Sequence, residues 1–383
     1  LLVVRAGVGP LIVVDIATKI IPSDAAIWVI FPGLGRRFLE IFLGHDAVFL
    51  DTPGIRLWPA VVNDQARLRQ HTRMSAAVTN YVRKGGTPPS RNPTTYSDEK
   101  LEDGHDRVLA SNVRKLFARV KKGDLVIVPG RQFAPVYFGE VVTDFNPEDS
   151  LTIARYPNEE IPVRKVKWLN DGVPRHQIPL DLQMYLSKPP AIAQVARSAV
   201  SDRFFNLAYP SFVLAEKSAV IIDGPQYDGK NPLATYEANV LVSYFISAFS
   251  AIEREELESF AKLDVFAAID EFFDESLIQS FSQNFNSPGK FALAALSAAM
   301  AVFVSGGIAI SLKGTNAESL KSGIEVTNSV SPHDAHIAKD AGVKLGYLYK
   351  SLHKDDIDKL NGLAKRARKN IGLRTPVKVE QKR

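Results

Sequence analysis

Apolar and polar positions form short blocks in the first half of the chain and longer runs with a helical period in the second. Ile27-Trp28-Val29-Ile30 reads as a strand, Pro32-Gly33-Leu34-Gly35 as a turn and 37–43 as a short helix. A second strand over 47–50 ends at Asp51-Thr52-Pro53-Gly54. Residues 84–105 are polar and rich in Pro and Gly, which predicts a long mobile loop. Leu109, Val113, Leu116, Phe117 and Val120 then share one face at the helical period and predict a helix over 106–121. After the turn Lys122-Gly123-Asp124, four apolar runs follow at 125–128, 136–142, 153–156 and 161–168 without a helical pattern between them. That succession predicts a curled antiparallel sheet or small barrel rather than alternating strand and helix units.

From residue 171 the pattern changes. A Pro-punctuated connection leads to an expected helix near 190–203, a hairpin of 212–214 with 219–222, and a long helix over 233–262. A polar connector at 314–332 precedes two short basic helices ending near Ile371. The expected class is α+β, with an apolar lead at 1–24, a β-barrel domain at 25–170, a connecting region at 171–262 and a mostly α-helical C-terminal domain at 263–383. The lead is interrupted by Arg5, Pro10, Asp15 and Lys19 and shows no small-residue cleavage site, so it reads as a strand or an upstream extension rather than a secretory leader.

Residues 291–312 carry no charge over 22 positions and are bracketed by Lys290 and Lys313. About 20 helical residues cross a ~30 Å hydrocarbon core, so the length suffices for a span. Ten of the 22 are Leu, Ile, Val, Phe or Met and the other twelve are Ala, Ser or Gly, which makes insertion energetically marginal. Membrane insertion, a buried helix ending near Gly306-Gly307 with a strand at 308–312, and insertion only on activation stand as alternatives.

Composition narrows the chemistry. The 383 residues contain no cysteine, which excludes a disulfide scaffold, thiolate zinc, iron–sulfur clusters and a cysteine nucleophile, and fits a cytoplasmic setting. Residues 340–383 hold twelve Lys and Arg against five Asp and Glu, so the net charge of +5 originates in the tail. Lys365, Arg366, Arg368 and Lys369 are suited to phosphates of nucleic acid or of an anionic membrane, and equally to the solvated face of a helix. Gly224–Asn231 nearly spells a phosphate-binding loop, but Pro225 removes a donor, Asp228 adds a carboxylate and Asn231 lacks the hydroxyl, so it reads as a turn. His333-Asp334-Ala335-His336 has no third metal ligand at a standard spacing and reads as a helix start. No catalytic constellation stands out, and the reading is non-enzymatic with no cofactor.

Five pieces occur in a telling order: Ile27 through Phe38, Phe42 with Val48-Phe49-Leu50, Lys122 through Ile127, Phe138-Gly139-Glu140-Val141, and Val163 through Leu169. Over about 25–170 this order resembles the PUA-like modules of the EVE and Mrr N-terminal type found in prokaryotic restriction and antiviral defence proteins. Phe31 and the polar insertion at 84–105 depart from that pattern. The resemblance implies a pseudobarrel that encloses a modified base or nucleotide in a partly aromatic pocket, where stacking contributes about 1–3 kcal/mol. On that basis Trp28, Arg36, Arg37, Tyr137 and Trp168 are ligand-binding candidates, with Asp51 and Thr52 as polar readers. The competing reading makes Trp28 and Trp168 core residues. The function implied is a nucleic-acid sensor coupled to a helical effector, the alternative a membrane-associated scaffold whose barrel binds protein.

Overall fold

The computed structural model describes residues 11–96, 104–187, 190–284 and 289–382. Residues 1–10 of the apolar lead and 97–103 of the polar loop lie outside the described residues. The chain divides into two bodies, one of residues 24–208 and one combining the stretch up to Ser23 with 209–383.

The 24–208 body is built on a six-stranded curled sheet in the order Ile192–Val195, Ile27–Ile30, Leu125–Pro129, Val136–Val141, Arg164–Trp168 and Ala47–Val48. Ile27–Ile30 and Leu125–Pro129 run parallel, and the remaining neighbours are antiparallel. A separate hairpin joins Ser150–Ile153 to Tyr156–Pro162. The β-rich, curled character expected for this half is present. The helix expected near 190–203 is not: Ile192–Val195 pairs with the first strand, setting Ile192 opposite Ile30 and Val195 opposite Ile27. Two buried side chains and a ladder of backbone hydrogen bonds outweigh the helix preference of the local Ala and Gln, which amounts to only tenths of a kcal/mol per residue.

Helices pack against this sheet. Asp64 caps Gln65–Lys84 by accepting the N–H groups of Ala66 and Arg67. The helix Gly104–Arg114 continues as a wider turn over Lys115–Arg119. Its terminal carbonyls meet a buried cation. Arg164 donates Nη1 to the carbonyls of Val120 at 2.7 Å and Leu116 at 3.3 Å, and Nη2 to that of Thr143 at 2.8 Å. Burial lowers the pKa of this guanidinium, while the charges of Asp144, Asp124 and Asp149 act to raise it.

The second body is mixed, not mostly helical as expected. It holds a five-stranded sheet in the order Ile278–Asn284, Gly289–Ala295, Lys217–Gly224, Ser211–Leu214 and Lys19–Ile21, and a three-stranded sheet in the order Ile324–Thr327, Leu11–Asp15 and Lys378–Lys382. The lead therefore supplies strands to this body from Leu11 onward. The hairpin expected at 212–222 is present as Ser211–Leu214 with Lys217–Gly224.

The apolar segment 291–312 is not one helix. Most of Gly289–Ala295 lies in it as a strand paired on both sides, and Met300–Lys313 follows as a helix, the reverse of the expected helix-then-strand order. Fourteen residues rise about 21 Å, short of a ~30 Å hydrocarbon core. Among the described residues no helix is long and apolar enough to cross a membrane. The helix instead lies buried beside Tyr236–Glu253, where Gly307 permits close approach: a Cβ there would stand 2.3 Å from the Phe245 ring. The long helix expected to 262 stops at Glu253, and shorter helices follow at Leu257–Phe260 and Val265–Phe272.

Candidate functional site

Strand pairing decides which candidates share a face. Gln194, Trp28, Val126, Gly139 and Trp168 form one row across the six-stranded sheet, so the two tryptophans lie on the same face with two strands between them. Their environments differ. Trp28 is 1% exposed and its Nε1–H donates to Asp124 Oδ2 at 2.9 Å. The same carboxylate accepts the backbone N–H groups of Ala26 and Lys121, each at 2.8 Å. Trp28 is thus a core residue tied to the Lys122-Gly123-Asp124 turn, and its assignment as a ligand-facing ring is corrected. Trp168 is half-buried over Gly139, where a Cβ would come within 3.1 Å of the indole. Its Nε1 is sheltered and has no hydrogen-bond partner. Tyr137 points to the same face and is flanked by Gly172 and Pro135.

The expected polar readers are engaged within the fold. Thr52 is fully buried with its hydroxyl on the Leu50 carbonyl, and Asp51 is held between Arg37 and the Tyr156 hydroxyl, the latter at 2.8 Å. Thr52 is closed to a ligand, which corrects its expected role, while each Asp51 oxygen already accepts one partner.

A different set of residues converges at one end of the sheet. The strand directions bring together the loops after Ile30, between Pro129 and Val136, and after Trp168. Gly33, Gly35 and Arg36 wind the first loop through φ values of 71°, 64° and 61°. Only glycine fits at 33, where a Cβ would stand 2.6 Å from the Phe38 ring. Arg36 itself holds the left-handed conformation that non-glycine residues avoid, a strain that clusters at functional sites. Its guanidinium lies 4.0 Å above the Phe31 ring, and Nε is buried without a hydrogen-bond partner. Burial, and then the charge of Arg175, pull its pKa down.

Arg131 Nε donates to the Gly35 carbonyl at 2.6 Å, and Arg175 Nη1 donates to the Gln132 carbonyl at 3.2 Å. The three loops are therefore laced together by arginines whose acceptors are neutral carbonyls. Among the described residues Arg36, Arg131 and Arg175 have no ion-pair partner, whereas Arg37 is paired with Asp51 and Arg203 with Asp181. Apolar tips frame the cluster: Phe133 is 92% and Leu34 84% exposed. The turn that follows, held by Gln183 on the Arg175 carbonyl at 3.2 Å, exposes Leu180 and Met184.

Of the ligand candidates, the structure places Arg36 in this cluster and Arg37 beside it in a separate ion pair. Arg131, Phe133 and Arg175 were not among the candidates. Their signal in the sequence is slight: the string Pro129-Gly130-Arg131-Gln132-Phe133-Ala134-Pro135 sets an aromatic and a cation in a short loop bounded by breakers.

In the other body, Lys365, Arg366, Arg368 and Lys369 form the exposed face of the helix Lys354–Ile371, whose opposite face buries Ile357, Leu360, Ala364 and Ala367. Arg366 Nε faces Glu237 at 3.4 Å. Gly224–Asn231 is a turn in which Asn231 accepts the Leu233 N–H and begins the short helix Pro232–Thr235. No group of three or more metal-ligating side chains is found among the described residues. Neither a protein-family model, nor a curated protein, nor a solved structure matches this chain.

Proposed function

We propose that the 24–208 body is a PUA-like module that binds nucleic acid at the arginine-laced end of its sheet. The observation that carries this reading is the convergence of Arg36, Arg131 and Arg175 on three neighbouring loops without a carboxylate to neutralise them. Backbone phosphates are the natural counter-charge for such a group, since a guanidinium offers paired donors to two phosphate oxygens. Phe133 supplies an exposed ring on which a base stacks beside the phosphates. The resemblance alone supports selectivity for a modified base, a cytoplasmic role in prokaryotic defence, and coupling to the second body. The alternative of a membrane-associated scaffold loses the span that 291–312 was expected to provide.

Anisotropy titrations of labelled single- and double-stranded oligonucleotides, with and without methylated cytosine, test the proposal. Affinity falls with salt at a log–log slope of about −2 to −3, the value for three neutralised phosphates. The combined Arg36→Ala, Arg131→Ala and Arg175→Ala variant removes most of that slope, and Phe133→Ala weakens binding by about 1–3 kcal/mol with the slope retained. Replacing Lys365, Arg368 and Lys369 by Ala leaves the titration unchanged. Binding that is absent, or that the triple variant does not alter, overturns the reading.

A further inference from the structure

A groove of about 870 Å³ runs between the strand Ile324–Thr327 and the helix Ala335–Ser351 in the second body. Among the described residues the strand is the edge of its three-stranded sheet, paired only with Leu11–Asp15. Ile12 N–H donates to the Gly323 carbonyl at 3.1 Å and Ile16 N–H to the Thr327 carbonyl at 2.9 Å. In a parallel ladder this alternation turns the backbone of 323, 325 and 327 inward and leaves Ile324 and Val326 to present N–H and C=O groups outward.

The helix offers a matching stripe. Lys339, Gly342, Val343, Gly346, Tyr347 and Lys350 recur at three- and four-residue spacing on one face, and all six line the groove. Its two glycines differ in purpose. Gly342 lies against Val326, where a Cβ would come within 3.1 Å of Cγ2, so it lets helix and strand approach. Gly346 has nothing within 4 Å of the Cβ position. A glycine inside a helix costs about 1 kcal/mol relative to alanine, and packing within the fold gives no return for it here. The space above it fits a side chain supplied from outside, and Tyr347 beside it is 56% exposed.

We propose that this groove accepts an extended peptide strand of a partner protein, with apolar side chains at alternate positions and a carboxylate near each end. The edge strand supplies the backbone hydrogen bonds, and Gly346, Val343 and Tyr347 receive the apolar side chains. The charge requirement follows from Lys339 and Lys350, which are exposed at the two ends of the stripe and have no ion-pair partner among the described residues. Among the described residues no acidic side chain lines the groove. Eleven helical residues separate the lysines by about 16 Å; carboxylates six residues apart in an extended chain, about 20 Å at ~3.3 Å each, share the helix-facing side with the apolar positions between them and fall within reach of the flexible lysine side chains. A second copy of the chain is a poorer match, since the strand Ile324–Thr327 carries a single acid, Glu325.

The test uses the full chain and a fluorescein-labelled heptapeptide, Glu-Thr-Val-Thr-Val-Thr-Glu, in which both Glu and both Val share one face, read by anisotropy. Two further probes are the same peptide N-methylated at alternate amides and a version with Lys at both ends. The Glu-ended peptide is expected to bind, and N-methylation to abolish binding. The Lys339→Glu/Lys350→Glu variant weakens the Glu-ended peptide about tenfold or more and takes up the Lys-ended one. Gly346→Leu fills the open space and blocks both, with an unchanged circular dichroism spectrum. Absence of binding at about 1 mM, equal binding of the N-methylated peptide, or no switch on charge reversal overturns the proposal. A dimer in sedimentation that Gly346→Leu dissolves overturns it in favour of a second copy.

Discussion

Buried charge braces the interior of the 24–208 body, whereas the second body closes around two apolar helices that meet through small residues. In the first, Arg164 serves three carbonyls and Asp124 serves three donors, one of them the Trp28 indole. In the second, every residue from Met300 to Ser311 is buried, and the contact with Phe245 is set by the missing side chain of Gly307. Charged anchors fix the path of particular turns, because each donor or acceptor loses its partner if the turn shifts. An apolar interface fixes volume and shape without tying any one group to a named partner.

Three substitutions or conditions sharpen that contrast. The largest effect is expected for Arg164→Met, which takes the guanidinium donors from the buried Leu116 and Val120 carbonyls and the part-buried Thr143 carbonyl and removes the cation facing Asp124, Asp144 and Asp149; urea unfolding should show a loss of about 4 kcal/mol. Hydrogen exchange should place the loss around 104–120, and a variant as stable as the parent would show that the anchor is dispensable. Gly307→Val should cost about 2–3 kcal/mol by overpacking against Phe245, while the volume-conserving Met300→Leu should cost less than about 1.5 kcal/mol. Equal costs for the two would remove the distinction drawn for the apolar body.

The smallest effect concerns pH. Burial lowers the pKa of His71, which stacks edge-on near Trp58 with 6.3 Å between ring centroids. A histidine held neutral in the fold contributes stability that is complete above its unfolded pKa of about 6.5 and is lost as pH falls through the lower folded value. His71→Gln should flatten the stability of the 24–208 body across that window. A slope that survives the substitution assigns the acid sensitivity elsewhere.

The strands of the first half were legible because Val, Ile and aromatic residues occur there in short runs ended by Gly and Pro, as at Leu125–Pro129 and Val136–Val141. Ile192–Val195 was misread as helix because an Ala-rich string has no local reason to extend; its strand partner lies some 160 residues earlier. The same holds for Phe291–Ala295, a strand paired along both edges in which alanine takes the half-buried positions 292 and 294. Gln65–Lys84 left little trace, since its polar composition hides a narrow buried stripe of Leu68, Thr72, Ser75 and Val78. The site was legible only in part. Arg36 lies in a recognisable Gly-rich turn, but Arg131 and Arg175 meet it through loop ends whose proximity depends on strand order, and Trp28 went to the core once Asp124 took its N–H.

The strand Leu11–Asp15 has as its two neighbours Ile324–Thr327 and Lys378–Lys382. On a ribosome adding about 5–20 residues per second, it waits roughly 20–70 s for the last of these to be made. Throughout that interval an aliphatic strand with both hydrogen-bonding edges bare is tethered to the nascent polypeptide, while residues 24–208 emerge early enough to fold during translation. The timetable of synthesis thus leaves Leu11–Asp15 in need of shelter until its partners are made.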